Sequence, residues 1–319
     1  MAKILEPGQA MDEALTLLGS GDVIAVPTET VYGLAGDATN GEAVARIFEV
    51  KGRPRFNPMI AHVSDMAMAE RLVHFDEVSR ALAEAFWPGA LTLVLRLKDD
   101  ATVHPLTTAG LHTLAVRMPR GFSSELIAAL GRPLAAPSAN SSGLITGTSA
   151  AAVEADLGPK IKLIVDGGAT PIGVESTIVK VDGGQIYLLR PGGVAAEDIE
   201  KVTGLPLLRE TGGKIEAPGM LASHYAPRAA VRLGAVEVSA NEALLGFGPT
   251  RALGAEKAAA FLNLSERADL REAAANLFSY MRELDASGAS GIAVEPVPTQ
   301  GLGEAINDRL SRAAAPRHL

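Results

Sequence analysis

The segment Lys51-Gly52-Arg53-Pro54-Arg55-Phe56-Asn57-Pro58 packs three cations, a glycine and two prolines into eight positions, in a chain with 29 Lys+Arg against 37 Asp+Glu. From Val50 to Ser64 the chain has no Asp or Glu. The two prolines fix φ and remove backbone donors, so this is a rigid loop rather than helix interior. A rigid loop carrying clustered cations and an Asn reads as a clamp for an anion, with phosphate the natural guest. A solvated basic turn would have the same composition.

Other stretches avoid carboxylates as well. The span from Ala101 to Val153 contains only Glu125. The two acid-poor stretches supply Arg53, His62, Thr113, Arg117, Ser138, Asn140, Ser142 and Thr148. Clearing acids from loops that converge on a pocket lets a polyanion enter without repulsion. A run of buried strands would be poor in acids too. Four further polar segments lie in or beside expected strands or turns. Pro27-Thr28-Glu29-Thr30-Val31-Tyr32-Gly33-Leu34 offers hydroxyls beyond a strand's carboxyl end, where α/β sheets gather ligands. Its threonines could equally be turn caps. Pro137-Ser138-Ala139-Asn140-Ser141-Ser142-Gly143 has the small residues that let backbone N–H groups approach phosphate oxygens, as a plain Ser/Asn turn also would. Val174-Glu175-Ser176-Thr177-Ile178-Val179 sets polar groups within an expected strand, and Arg190-Pro191-Gly192 puts a cation at a turn.

The elements that must carry these residues alternate. Helices are expected at Gln9 to Leu18, Asn40 to Val50, Asp65 to His74, Asp76 to Phe86, Phe122 to Leu130 and Ser149 to Leu157. Strands are expected at Val23 to Val26, Met59 to Val63, Leu91 to Leu97, Thr113 to Met118, Leu134 to Ala136 and Ile161 to Val165. Val174 to Val181 and Gln185 to Leu189 read as a hairpin turned by Asp182-Gly183-Gly184. Alternation of this kind predicts an α/β domain with a twisted mixed sheet over residues 1–205. Residues 206–228 lose periodicity and read as a linker too long to be passive. A smaller, Rossmann-like α/β domain follows over 229–319. Its expected strands are Val231 to Leu233, Ala243 to Phe247 and Gly291 to Glu295, and its expected helices Glu256 to Ala260, Arg267 to Leu284 and Glu304 to Ala314.

Composition excludes several classes. With no cysteine, thiolate metal sites, disulfides and Cys nucleophiles are out, which fits a reducing, cytoplasmic setting. Met1 to Leu15 lacks a signal peptide's apolar core, and no run of about 18 apolar residues exists to span a membrane. Aromatic residues at 4% and a net charge of −8 argue against a single-strand stacking platform or a broad duplex-binding face. Neither G-x-x-x-x-G-K-[ST] nor G-x-G-x-x-G occurs in a strand–helix context, and no acidic or His set has metal-ligand spacing, so no protein-held metal is expected.

Taken together, PTETVYGL, KGRPRFNPMIAH, WPGALTLVL, VRMP, SANSSG, VESTIV and LRPGG resemble, in order and spacing, the YrdC-like family of threonylcarbamoyl-AMP synthases. The later SHYAP and the stretch from Leu277 to Ala314 resemble the linker and C-terminal domain of that family's two-domain branch. Two departures stand out. Met59 follows Asn57-Pro58 where Leu is commoner, and Thr146-Gly147-Thr148 replaces a Ser-Pro-Thr run. The resemblance implies an enzyme that joins L-threonine, bicarbonate and ATP into threonylcarbamoyl-adenylate, with Mg²⁺ accompanying the nucleotide and pyrophosphate released. The product would pass to threonylcarbamoyl-transferase machinery that modifies adenosine 37 of tRNA.

The same resemblance implies roles. Lys51, Arg53 and Asn57 would clamp the ATP phosphates. Thr113, Asn140, Ser142, Thr148 and Arg190 would complete the nucleotide site, under a lid carrying His224 and Tyr225. Thr30, His62, Arg117, Ser138 and Ser176 would surround threonine, with Arg117 on its carboxylate and Thr113 four residues earlier on the same strand face. Lys51, Arg53 and Arg117 would carry the catalysis. The competing expectation is an RNA-binding module using a basic concave surface. Direct tRNA contact is the weaker expectation for the enzyme, and no membrane partner is expected.

Overall fold

Capping fixes most of the helix starts. Asn40 accepts from the amides of Glu42 and Ala43 and opens the helix Gly41–Lys51. Asp65 caps Met66–Leu72, Asp76 forms a reciprocal capping box with Ser79 at the start of Glu77–Phe86, and Ser149 caps Ala150–Leu157. Gly52 and Gly131 terminate their helices in the left-handed region. The computed structural model describes residues 1–54, 56–209, 216–219 and 224–316. Arg55, the third cation of the basic loop, lies outside them.

These elements assemble on an eleven-stranded mixed sheet. Its spatial order is Lys3–Leu5, Leu163–Val165, Ile24–Val26, Gly33–Asp37, Leu134–Ala135, Ile60–His62, Thr113–Arg117, Leu91–Arg96, Thr177–Asp182, Gln185–Arg190 and Leu207–Arg209. The middle of this sheet positions the chemistry. Ile60–His62 pairs parallel with Thr113–Arg117, so His62 lies opposite Arg117 at the strands' common carboxyl end. Leu91–Arg96 pairs parallel with Thr177–Asp182, and the expected hairpin partner Gln185–Arg190 runs antiparallel to the latter. A second sheet, entirely parallel, runs Ala230–Leu233, Gly291–Val294, Glu242–Gly246, Ala260–Asn263, with the helices Leu270–Ala286 and Leu302–Ala314 packed on it. This is the mixed α/β unit plus smaller α/β unit that the pattern predicts.

Five local readings need correction. Lys3–Leu5 and Gly33–Asp37 are strands. The first is too short to show a period, and the second, Gly-Leu-Ala-Gly-Asp, has little strand propensity and is held by its neighbours. The strand expected from Val174 starts only at Thr177, so Glu175 and Ser176 lie in its approach loop and not mid-strand. Leu207–Arg209, expected in the linker, adds an edge strand by pairing with Ile186 to Leu188. The helix expected over Glu256 to Ala260 is a 3₁₀ turn, Ala255–Lys257, before the strand Ala260–Asn263.

The two units share a core. Val31, Ile145 and Val174 of the first half pack in one buried cluster with Tyr225, Phe278, Met281 and Ile306. Among the described residues no helix is long and apolar enough to cross a membrane.

Candidate active site

One cleft of about 540 Å³, counting its solvent-facing part, opens above the carboxyl ends of the central strands. Its walls bring together Thr30, Arg53, His62, Arg117, Ser138, Ser176, Arg190, His224 and Tyr225 from seven separate segments. Residues this far apart in sequence meet only because the sheet order interleaves them.

One end is built from strand termini. Arg117 closes its strand and is buried. Its Nε donates to the Gly89 carbonyl at 3.0 Å and its Nη1 to Thr30 Oγ1 at 2.9 Å. Its Nη2 lies 2.7 Å from Glu29 Oε1. Thr28 and Thr30 share a 2.8 Å hydroxyl contact, and Thr28 Oγ1 donates to the Val31 carbonyl at 2.7 Å. The guanidinium is therefore fixed from three sides. His62 beside it is buried, and its Nδ1 has no protein partner. Burial, reinforced by the Arg117 charge, pulls its pKa down to about 3. It is a neutral imidazole with an open polar atom beside the cleft. Ser176 is set by Thr92, whose Oγ1 lies 2.7 Å from the serine Oγ.

The other end joins a loop cation, Arg53, to Arg190, which closes the strand Gln185–Arg190. Arg53 Nε and Nη2 donate to the Asn57 and Pro58 carbonyls at 3.2 and 2.7 Å. Arg190 donates twice to the Ser176 carbonyl, from Nε at 3.3 Å and Nη2 at 2.9 Å, and from Nη1 to the Pro218 carbonyl at 3.3 Å. Burial and then the neighbouring Arg190 charge bring Arg53 down to about 10, so two like charges face this end, and among the described residues no carboxylate is bonded to either.

A roof lies over the Arg190 end. Pro218, Gly219, His224 and Tyr225 line the cleft from above. Gly219 has φ +84°, and a Cβ there would stand 2.7 Å from Arg190 Cδ, so only glycine fits this approach. Tyr225, buried at 1% exposure, sits at φ +62°, a strained value for a bulky residue that surrounding packing must enforce. Its ring contacts His224 edge-on at 4.1 Å and Phe278 at 5.3 Å. Burial pushes the Tyr225 phenol up to about 12 and pulls His224 down to about 3, so both are neutral. The backbone around them is tied to both units: Ala226 N–H donates to the Gly143 carbonyl at 2.9 Å and His224 N–H to the Arg312 carbonyl at 3.3 Å.

Six expected site residues do not line the cleft. Lys51, at its helix end, is buried and donates from Nζ to the Ser138 carbonyl at 2.5 Å and to the Asn140 carbonyl. Burial, then the Arg53 charge, brings its ammonium down to about 7. Asn57 and Asn140 are buried behind the wall, each with an unpartnered Oδ1. Ser142 N–H bonds the Lys51 carbonyl, and Thr148 lies buried in the same loop system. Thr113 begins the strand that Arg117 ends, about 13 Å away at ~3.3 Å per residue, where it pairs with Arg96.

Sequence reasoning passed over Glu29 and Glu175, because a polyanion site was expected to shed acids. Both stand inside recognised motifs, next to Thr30 and Ser176. It also passed over Arg309, whose one signal is a cation on the apolar stripe of Leu302–Ala314, between Ile306 and Leu310. Among the described residues no cluster of three or more His, Asp or Glu could hold a metal ion.

A family model described as "Telomere recombination" matches residues 16–192, and one described as "Threonylcarbamoyl-AMP synthase, C-terminal domain" matches 194–315. The threonylcarbamoyl-AMP synthase of Bacillus subtilis is 41% identical over 323 residues, covering 96% of this chain and 93% of the relative. The crystal structure of Pyrococcus abyssi Sua5 complexed with L-threonine superposes with a TM-score of 0.86 at 36% identity, over 98% of each chain. A second structure of that protein, with a neighbouring His and Tyr both replaced by Ala, superposes with a TM-score of 0.87 at 35% identity, covering 98% of this chain and 96% of that one. With both halves matched and a full-length relative at 41% identity, the chain belongs to the two-domain branch of the threonylcarbamoyl-AMP synthase family.

Proposed function

We propose that this chain synthesises L-threonylcarbamoyladenylate from L-threonine, bicarbonate and ATP and releases pyrophosphate. The observation that carries the reading is the division of one roofed cleft. A fixed guanidinium with hydroxyls and a neutral imidazole lies at one end, and two loop-held guanidiniums lie at the other. The first suits an amino-acid carboxylate and hydroxyl, the second a triphosphate.

In this reading the threonine amine adds to CO2 derived from bicarbonate and loses a proton, giving a carbamate. A carbamate oxygen then attacks the α-phosphorus, and the bond to the pyrophosphate oxygen breaks. No protein nucleophile takes part. Arg117, with Thr30, His62, Ser138 and Ser176, orients threonine. Arg53 and Arg190 meet phosphate charge, and neither is already spent on a carboxylate. Lys51 serves the nucleotide by holding the Ser138–Asn140 loop in place, and its ammonium reaches phosphate only by leaving those carbonyls. Asn57, Asn140, Ser142 and Thr148 act from behind the wall, through the same loops.

The roof over residues 206–228, between a catalytic unit over 1–205 and a smaller unit over 229–319, is read as a lid. It keeps water from the carbamate, with His224 and Tyr225 over the nucleotide. Residues 210–215 and 220–223 of it lie outside the described residues. Mg²⁺ fits as a companion of the ATP phosphates rather than as a protein-held ion. The cleft's carboxylate Glu175 is already bonded to Arg309 and Thr146. The product then passes in the cytoplasm to enzymes that transfer the threonylcarbamoyl group to tRNA. The RNA-binding alternative is disfavoured by cations that are buried inside the cleft rather than spread over a face.

The test is pyrophosphate release from ATP. Release that requires both threonine and bicarbonate is expected, and equal release without threonine overturns the reading.

A further inference from the structure

The smaller unit places one side chain against the cleft wall in a way that lining residues alone do not reveal. Arg309, in the helix Leu302–Ala314, has 0% exposure. A guanidinium so placed is costly unless it is paired. Its Nε donates to Glu175 Oε2 at 2.8 Å and its Nη1 to Asp308 Oδ2 at 2.6 Å. Its guanidinium carbon also lies 5.3 Å from the centroid of the Tyr225 ring. Glu175 is the only other member of this group that lines the cleft besides Tyr225. Its second oxygen, Oε1, accepts from Thr146 Oγ1 at 3.0 Å. Both carboxylate oxygens are thus taken, one from each half of the molecule.

Glu175 sits where a carboxylate is least welcome. It precedes Ser176, whose carbonyl holds Arg190, and it shares the cleft with Arg53 and Arg190. A bare negative charge there would repel a triphosphate and cancel part of the attraction of both guanidiniums. The smaller unit grips the same region twice more. Arg282 Nη2 donates to the Ile145 carbonyl at 2.8 Å, and Phe278 packs on Tyr225 at 5.3 Å. The loop that carries Thr146 is therefore fixed from the C-terminal side.

We propose that Arg309 is a positioning residue for nucleotide binding: it neutralises Glu175 and keeps that carboxylate turned onto Thr146, so that an incoming triphosphate meets only cations. This rests on the reading of the cleft as an ATP site. It also gives the smaller unit a task in the first unit's chemistry, since the cation bonded to Glu175 comes from the smaller unit's helix. The pair is a charge mask at the phosphate end: of the threonine set only Ser176 adjoins it, along the backbone from Glu175, while Arg117, Thr30 and His62 make no bond to Arg309, Glu175 or Thr146.

The test is calorimetric titration of the full-length protein with an ATP analogue carrying a methylene between the α and β phosphorus atoms, and separately with L-threonine. Arg309→Met should weaken analogue binding on the order of tenfold to a hundredfold, with threonine binding changed less than about twofold. Adding Glu175→Gln to Arg309→Met should restore most of the lost analogue affinity, since the unmasked carboxylate is then gone. Arg309→Lys should fall between. Equal weakening of both ligands, or no rescue by Glu175→Gln, overturns the proposal and leaves Arg309 a fold-holding residue. If Arg309→Met does not fold, Glu175→Gln alone decides: analogue binding at least as tight as in the unaltered protein supports the mask, and a tenfold loss overturns it. The titration needs no turnover. An unaltered protein that releases no pyrophosphate would therefore overturn the synthase reading without touching this one.

Discussion

The two ends of the cleft are made differently. At the threonine end, Arg117 and His62 sit at the ends of adjacent central strands and are registered by the ladder itself. Their partners Thr30 and Gly89 follow directly from neighbouring strands and turns. At the phosphate end, Arg53 stands on a loop and Arg190, though it ends a strand, holds loop carbonyls at Ser176 and Pro218, and the cover comes from Pro218, Tyr225 and the C-terminal helices. A ladder fixes side chains before any ligand arrives, whereas loops and a roof can part. On the proposed assignment of the two ends, amino-acid selection is pre-organised, while nucleotide capture is assembled. It also fits the chemistry. The small ligand must be held still, and the large one must enter and its pyrophosphate leave.

The largest effect should come from breaking the rigid end. Arg117→Ala removes a guanidinium fixed from three sides and leaves Glu29 without its ion pair. We expect kcat/KM for threonine to fall about 100- to 1,000-fold, roughly 3–4 kcal/mol, with ATP-analogue affinity nearly unchanged. A fall below tenfold would show that the strand-end cluster does not select threonine.

The roof comes next. His224→Ala with Tyr225→Ala strips two buried aromatic side chains but touches no strand of the larger sheet. Turnover should drop roughly 10- to 100-fold, while threonine affinity measured by calorimetry stays within about twofold. An unaltered rate would make the roof passive, and a parallel loss of threonine binding would erase the distinction between the ends.

Within the phosphate end, Lys51 and Arg53 divide their work. Arg53 reaches the cleft, and Lys51 holds the backbone at Ser138 and Asn140 from behind. Arg53→Met should raise KM for ATP about tenfold. Lys51→Met should raise KM for ATP and also loosen Ser138 at the threonine wall, so both KM values rise, by about threefold to tenfold. If Lys51→Met alters ATP alone, the ammonium contacts phosphate directly and the tether is secondary. If both substitutions leave ATP affinity unchanged, the basic loop has no part in nucleotide binding.

What the sequence revealed follows the same division. The alternation of elements was legible, because period and capping are local signals, whereas Thr30, His62 and Arg117 were named together through the family resemblance, and all three line the cleft. The roles of Lys51 and Thr113 were not. Lys51 sits on the right loop, but its ammonium is captured by carbonyls about 90 residues away in sequence, a contact that only the sheet order creates. Thr113 shares Arg117's face, but a strand is long enough to carry two residues on one face out of one cleft. Arg309 was invisible for a related reason. Its partners come from the other half of the chain, so nothing near it in sequence marks it as more than a misplaced charge. Glu175 was hidden by a sound rule, that acids avoid polyanion sites, because the rule counts charges and not their masking.

The smallest effect compares the two buried histidines. Both have folded-state pKa values near 3 against about 6.5 in an unfolded chain. Below pH 6.5 the unfolded chain takes up protons that the folded one refuses, so stability must fall as pH drops from about 6.5 towards 3. Glu175, at about 2 when folded, adds its own loss only below the ordinary Glu range near 4.5, as pH falls towards its folded value. The first phase therefore belongs to the histidines and the second to the carboxylates. The ends should separate within the first phase. His62 is held at a strand end in the cleft wall, whereas His224 rides on the roof itself, so lifting the roof exposes His224 first. Imidazole NMR of the unliganded protein should show His62 silent down to about pH 4, while the His224 signal moves between pH 6.5 and 4. His62→Asn should flatten the acid limb of the denaturant midpoint more than His224→Asn does. If the two imidazoles titrate together, the roof is as rigid as the sheet, and nucleotide entry needs an opening of the molecule as a whole.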